Sequence, residues 1–354
     1  MRRLGALFHP LRWGTHEPAT SSLPFFYPFD CFRMDAHLLL SNLTNPTLLF
    51  FVLGMVATAV KSDLEIPPTT VKFISLYLLF SIGFKGGQEL AHSPFSAEII
   101  YSLGFGLLVA SLIPAYTFFV LKRRLSVADA GAVAAAYGSV SAVTFVSAVS
   151  FLEAQQLHFG GHMVAVMALM EAPAIIMGVM LMRRYEAANT DVPPRLGPLV
   201  QHSFTNGSVL MVLGSLVIGL IADTKQADGI KPFTTDIFKG FLAIFLLEMG
   251  MVTARRFTAF LRYGRFVTAF AVLVPLLNGC VVAVVSHGIT GSVGTRFIFA
   301  ILAASASYIA VPAAMRLAAP KADPGLYLPM ALGVTFPFNI TLGMPLYFAL
   351  VQHT

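Results

Sequence analysis

Long apolar runs, each closed by a proline, a glycine or a group of charges, recur along the chain from residue 46 to residue 350. About 20 residues of α-helix cross a hydrocarbon layer. On that length scale the runs predict helices near 46–60, 68–84, 97–120, 127–151, 161–182, 206–222, 234–253, 265–286, 295–315 and 326–350. Gly138 and Pro312 fall inside two of them. A glycine relaxes the helical ladder and a proline removes one of its donors, so bent or interrupted helices are expected there. The fold class that follows is an all-α integral membrane protein with about ten transmembrane helices.

Composition closes off the alternatives. Of 354 residues 56% are hydrophobic and only 11% charged, which leaves no length for a large aqueous domain. The net charge of +6 is not arranged as a basic patch interleaved with aromatics, so no nucleic-acid partner is expected. Loop charge instead predicts orientation. Loops after odd-numbered runs carry 12 Lys and Arg (Lys61, the group Lys122 to Arg124, Arg183, Arg184 and others), against 4 after even-numbered runs (Lys85, Lys225, Lys231, Arg296). Basic loops stay in the cytoplasm, so both termini are expected on the outer side of a bacterial inner membrane. The two cysteines, Cys31 and Cys280, make no disulfide framework, and Cys280 reads as a small packing residue.

Residues 1–40 stand apart as an N-terminal tail. Arg2, Arg3, Arg12 and Arg33 alternate with Pro10, Pro18, Pro24 and Pro28, without the continuous apolar stretch of a signal peptide. Those arginines also oppose the predicted orientation. The tail is expected to be disordered or to lie upstream of the true start, with translation beginning at Met34.

The chain also repeats itself. Val52, Leu53, Gly54 and Asp63 recur as Val212, Leu213, Gly214 and Asp223 at an offset of 160. Lys72, Leu79 and Gly83 recur as Lys239, Leu246 and Gly250 at an offset of 167, and Ser139-Val140-Ser141 recurs as Ser305-Ala306-Ser307 at 166. Pro173 is matched by Pro337. A five-helix unit repeated once inserts the second time upside down. The expected organisation is therefore a first repeat at 41–182, a cytoplasmic linker at 183–205 containing Pro193 and Pro194, and a second, inverted repeat at 206–354. Two inverted halves support inward-open and outward-open states of similar energy, which is the basis of alternating access.

Candidate chemistry lies in the fourth and ninth runs, Tyr137-Gly138-Ser139-Val140-Ser141-Ala142-Val143-Thr144 and Ala304-Ser305-Ala306-Ser307-Tyr308-Ile309-Ala310-Val311-Pro312. If the helices unwind here, N–H groups at half-helix starts attract an anion, while freed carbonyls and hydroxyls take a hard cation such as sodium. Close helix packing also uses Ser and Ala, and the repetition in both halves is what favours a site. Gly138, Ser139, Ser141, Thr144, Ser305 and Ser307 are the candidate substrate-binding residues. Glu171 is an acid deep in an apolar run, where an unpaired carboxylate calls for a cation, a proton or a polar cavity; helix packing by a hydrogen-bonded or protonated glutamate is the alternative. Glu171, Asn339 and Thr335 form the candidate sodium set. Glu153 and Glu248 are expected to be solvated, Lys72 and Lys239 to snorkel, and His158 and His162 to be interfacial. No zinc-type spacing, nucleophile elbow or phosphate loop occurs, so neither an enzyme nor a nucleotide-driven pump is expected.

The segments Ala136 to Phe145, Phe151-Leu-Glu-Ala-Gln-Gln156, Met170-Glu-Ala-Pro-Ala174, Ala303 to Pro312 and Tyr327 to Pro337 together resemble the sodium-dependent bicarbonate transporter family of the SbtA type, in its broader non-cyanobacterial branch. The resemblance covers about residues 40–350. It implies a gate domain of spans 1, 2, 6 and 7, a mobile core of spans 3–5 and 8–10, elevator-like movement, a homotrimer, and a cytoplasmic regulator resembling a PII protein. Cyanobacterial members have a serine where this chain has Val143, an aspartate at Tyr308 and an aspartate at Glu171. These departures bear on the coupling ion and the substrate.

The function expected is sodium-coupled uptake of bicarbonate, with sodium as coupling ion, membrane lipid as surroundings and no cofactor. A symporter of another small organic or inorganic anion and a passive anion channel are the rivals.

The true start is checked by intact mass of the native protein. A mass beginning at Met34 is expected, and one that includes residues 1–33 contradicts it.

Overall fold

The computed structural model describes residues 44–92, 96–186, 205, 207–260 and 263–354. The expected tail and most of the 183–205 linker lie outside them. The described residues form helices and connecting turns, with no strand. In chain order the helices are α1 (Pro46–Ala59), α2 (Pro68–His92), α3 (Ala97–Leu121), α4 (Val127–Gly138), α5 (Ala142–Ala154), α6 (His162–Glu186), α7 (Gly207–Ile221), α8 (Thr224–Lys231), α9 (Phe238–Phe260), α10 (Arg265–Val285), α11 (Val293–Ala304), α12 (Ala310–Ala318) and α13 (Pro324–His353). Among the described residues six helical stretches are long and apolar enough to cross a membrane, and three more are apolar but shorter.

Polar caps set where many of these helices begin. Asn45 accepts from the Thr47 N–H at 3.0 Å ahead of Pro46, whose missing donor is harmless at a helix start. Ser126 receives the Asp129 N–H at 3.1 Å, Ser292 the Thr295 N–H at 3.3 Å, and Asp323 the Gly325 N–H at 2.7 Å. Each run predicted from the sequence falls on a described helix or pair of helices, with three differences. The fourth and ninth runs are each two helices. The seventh joins α8 through a π-turn at Pro232–Asp236. The tenth, α13, is wound as π-helix at Met330–Thr335 and Asn339–Gly343, after Pro329 and Pro337 disturb the regular ladder.

Helix α1 packs along α9, and α2 along α7, by removing side-chain bulk. A Cβ placed on Gly54 would lie 2.0 Å from the Leu247 carbonyl oxygen, and one on Gly250 would lie 2.0 Å from that of Phe51. Backbones this close gain dispersion contact without a hydrophobic driving force, which the bilayer does not provide. Helix α3 packs on α4 and α6, and α10 on α11 and α13. Helices α4 and α11 are the interior of the molecule: Ala130 to Gly138 and Gly294 to Ala304 are all buried. The apolar side chains left exposed, such as Leu53, Leu108, Ile221 and Leu273, present a surface suited to lipid.

Three charged positions differ from their sequence expectation. Arg296 is not a loop residue but lies buried in α11, where its guanidinium donates to the carbonyls of Ala283 at 2.9 Å and Val351 at 3.2 Å. Glu248 is buried in α9, not solvated, and its Oε2 has no hydrogen-bond partner. His162 is buried too, with Nε2 3.2 Å from the Ser102 hydroxyl. Beyond the helix ends, the Tyr263 hydroxyl donates to Asp323 at 2.8 Å, and the Asp323 N–H donates to Asp129 at 2.8 Å. Lost hydration, reinforced by these two carboxylates, pushes the Tyr263 phenol up to about 12.

Gly54→Ala and Gly250→Ala should each cost about 1–3 kcal/mol by forcing the helix pair apart, read as a lower melting midpoint in detergent. Gly214→Ala, whose added methyl meets nothing within 4 Å, should leave the midpoint unchanged. Equal midpoints in all three would show that close approach does not hold this interface.

Candidate ion-binding site

The site is built where the two buried helices stop. Helix α4 ends at Gly138 and hands over to Ser139 at φ −82°, ψ 164°; α11 ends at Ala304 and hands over to Ser305 at φ −84°, ψ 164°. The same extended turn thus follows both helices. Gly138 sits under the Pro114 ring, where a Cβ would fall 2.4 Å from Cδ. After the first break Ser141 caps α5, accepting from the Thr144 N–H at 3.2 Å. After the second break the chain re-enters helix at Ala310.

An interrupted helix exposes backbone donors and acceptors that apolar surroundings cannot satisfy. Here the two breaks satisfy each other. The Ser141 N–H donates to Ser305 Oγ at 3.0 Å, and the Ser307 N–H donates to the Ala136 carbonyl at 2.8 Å. Ser305 Oγ in turn donates to the Leu302 carbonyl at 2.9 Å. The Asn339 amide donates to the Ala304 carbonyl, the last of α11, at 2.7 Å.

Beside the crossing lies a cavity of about 30 Å³, enough for one or two water-sized species. Val140, Ser141 and Ala142 line it from the first break, and Ser307, Tyr308 and Ile309 from the second. Met167, Ala168 and Glu171 line it from α6, while Leu79 of α2 and Ser208, Val209 and Val212 of α7 close the far wall. The starts of α5 and α12 both terminate here and bring partial positive charge. Glu171 brings a carboxyl whose Oε1 is buried without a hydrogen-bond partner. The Ser139 hydroxyl is likewise buried without a partner, and the Tyr308 hydroxyl lies beside Ser141 without a bond of good geometry. Such atoms are costly unless a ligand meets them. The arrangement can hold a small cation against Glu171 and an anion against the helix starts.

Of the residues singled out from the sequence, Ser141, Ser307 and Glu171 line this cavity together. Gly138, Ser139, Thr144 and Ser305 belong to the breaks behind it. Asn339 and Thr335 are not among the lining residues. Asn339 holds the end of α11 and accepts from the Tyr347 hydroxyl at 3.3 Å. Thr335 donates to the Ala271 carbonyl at 2.7 Å and shares a 2.7 Å hydrogen bond with the Tyr137 hydroxyl. Both brace the broken helices. Ser208 and Tyr308 line the site without having been candidates: Ser208 lies outside the repeated Ser-x-Ser pattern, and Tyr308 marks in the sequence only a departure from the aspartate of cyanobacterial members. Among the described residues no group of three or more His, Cys, Asp or Glu gathers as a metal site.

Helical stretches long and apolar enough to cross a membrane, interrupted around a small cavity, make this a multi-pass membrane protein. The sequence profile of the Na+-dependent bicarbonate transporter superfamily matches residues 46–352, and the chain belongs to that family. No curated protein matches the chain.

Ser305→Ala removes the acceptor of the buried Ser141 N–H, at a cost of about 1–3 kcal/mol. A lower melting midpoint in detergent is the expected result, and Ser62→Ala, which loses only a solvent-exposed 3.2 Å hydrogen bond from the Leu64 N–H, should leave the midpoint nearly in place.

Proposed function

We propose that this protein is a secondary active transporter that takes up bicarbonate together with sodium by alternating access. It crosses the inner membrane ten times as two inverted five-helix repeats, 41–182 and 206–354, with both termini outside. The observation that carries the proposal is the unpartnered Glu171 carboxyl beside two helix starts, in a cavity sized for small ions. Sodium at Glu171 and bicarbonate at the starts of α5 and α12, near Ser141 and Ser307, each lower the other's desolvation cost, and that mutual stabilisation is the coupling. One sodium with one bicarbonate makes an electroneutral cargo, so the sodium gradient supplies the work.

The inverted repeat is supported by contacts that recur at matched positions. Gly83 of α2 approaches the Val212 carbonyl of α7 as its match Gly250 of α9 approaches the Phe51 carbonyl of α1, one residue from the match of Val212. The Gly160 N–H donates to Thr295 near the start of α11 at 3.1 Å, as the Asp323 N–H does to Asp129 near the start of α4. The cavity lies between the broken helices and the α2–α7 pair, which suits a core of spans 3–5 and 8–10 moving, elevator-like, against a gate of spans 1, 2, 6 and 7. A homotrimer and a PII-like cytoplasmic regulator complete the proposal on family grounds.

Labelled bicarbonate uptake into proteoliposomes tests it: an inward sodium gradient should drive accumulation, and uptake that is absent or indifferent to sodium would remove the mechanism. A passive channel would give uptake that does not saturate. Ser141→Ala and Glu171→Ala each delete a contact to a charged ligand, worth about 1.5–3 kcal/mol. Apparent affinity should fall about ten- to hundredfold, with the melting midpoint retained in Glu171→Ala and lowered in Ser141→Ala by loss of the α5 cap, worth about 0.5–2 kcal/mol; normal uptake in both variants would place the site elsewhere.

A further inference from the structure

A second, larger cavity of about 160 Å³ lies at the other end of α5, lined by Lys85, Glu89, Glu153, His158, Phe159 and Phe238, among others. Two carboxylates, Glu89 and Glu153, line it, and Glu153 is held by two cations from different helices, Lys85 of the lining and Lys239, which is not among the lining residues. Lys85 of α2 stands 2.9 Å from Glu153 Oε1, and Lys239 of α9 stands 3.6 Å from Oε2. Glu153 occupies the last turn of α5, where a negative charge opposes the helix dipole, so its position depends on those ammonium groups. Helices α2 and α9 belong to the glycine-packed pairs with α7 and α1, whereas α5 is the second half of a broken helix. The ion pairs therefore fasten the broken-helix body to both neighbouring pairs. They are partly open to water: the Lys85 and Glu153 side chains are 32% and 30% exposed and that of Lys239 is 56% exposed. Such pairs are screened and readily exchanged.

We propose that this cavity is an entry site for the transported planar oxyanion, which takes the place of the Glu153 carboxylate between Lys85 and Lys239 and so releases α5. Bicarbonate and a carboxylate offer an ammonium group the same planar pair of oxygens, which makes Glu153 a tethered stand-in for the arriving ligand. The 13 residues of α5 form a rod of about 20 Å, with the entry cavity at its C-terminal end and the Ser141 cavity at its N-terminal end. Arrival at one end thereby frees the element that carries the other. The proposal rests on bicarbonate transport as proposed above.

Two measurements on the full-length protein test it. In proteoliposomes Glu153→Gln removes the internal competitor and should lower the KM for bicarbonate about two- to fivefold, the scale of a screened ion pair. Lys239→Gln should raise KM by a similar factor, and Lys239→Arg should restore it, with sodium dependence unchanged in each. In detergent the bicarbonate concentration giving half the rise in melting temperature should move in the same directions. Values of Glu153→Gln and Lys239→Gln equal to the parent's, or both displaced the same way, overturn the entry site and leave a structural bridge. If Glu153→Gln fails to fold, the Lys239 pair decides alone, since that side chain is mostly in solvent. Opposite shifts in the detergent titration without uptake by the parent protein would count against the transport mechanism and leave the entry site standing.

Discussion

The structure depends on a constraint of the bilayer: a backbone N–H or carbonyl released from a helix in hydrocarbon must find another partner inside the protein. Two helices that stop in the interior would each strand several such groups. Placed against one another, the breaks at Ser139–Ser141 and Ser305–Ser307 exchange donors and acceptors, the Ser141 N–H to Ser305 and the Ser307 N–H to Ala136. Each break supplies hydrogen-bond partners to the other, and both follow their helices with a Ser-x-Ser segment whose first serine has nearly the same dihedrals. Residues elsewhere serve that crossing. Asn339 takes up the last carbonyl of α11, and Thr335 braces Tyr137 one residue before Gly138. The Pro114 ring covers Gly138, where a larger residue would not fit.

The remaining helices solve the problem of adhesion in a solvent as apolar as themselves. The α1–α9 and α2–α7 pairs approach through glycines, with carbonyl oxygens of one helix over the bare Cα atoms of the other. These pairs are close-fitting, while the wall the α2–α7 pair offers the ion cavity, Leu79, Val209 and Val212 with Ser208 its one polar member, is largely apolar. Such a wall has few directional bonds to break when a neighbouring body slides along it. Among the described residues the polar ties from these pairs to their neighbours include the Glu153 ion pairs and the Thr253 hydroxyl donating to the Leu332 carbonyl at 3.1 Å.

Much of this was legible in the sequence because the membrane imposes a strong local signal. Apolar runs located the helices to within a few residues at most ends, and paired small hydroxyl residues located both breaks. Glu171 was conspicuous because an unpaired carboxyl in an apolar run calls for a cation, a proton or a polar cavity. What could not be read depended on helix rotation or on distant partners. Asn339 and Thr335 were grouped with Glu171, but the π-wound segments of α13 turn them toward the carbonyls of Ala304 and Ala271. Arg296 looked like loop charge, and only the fold brings the carbonyls of Ala283 and Val351 around it. Glu153 sits 68 residues from Lys85 and on a different helix from Lys239, so no local pattern announces their meeting.

The central claim is that the two breaks and Glu171 together hold an ion pair. A high-resolution density map of the protein in lipid, with sodium and bicarbonate present, tests it most directly. The account predicts a cation peak within coordination distance of the Glu171 carboxyl and a planar anion over the starts of α5 and α12, between interrupted helices. Continuous fourth and ninth helices, or side chains filling the space between Ser141, Ser307 and Glu171, would contradict it.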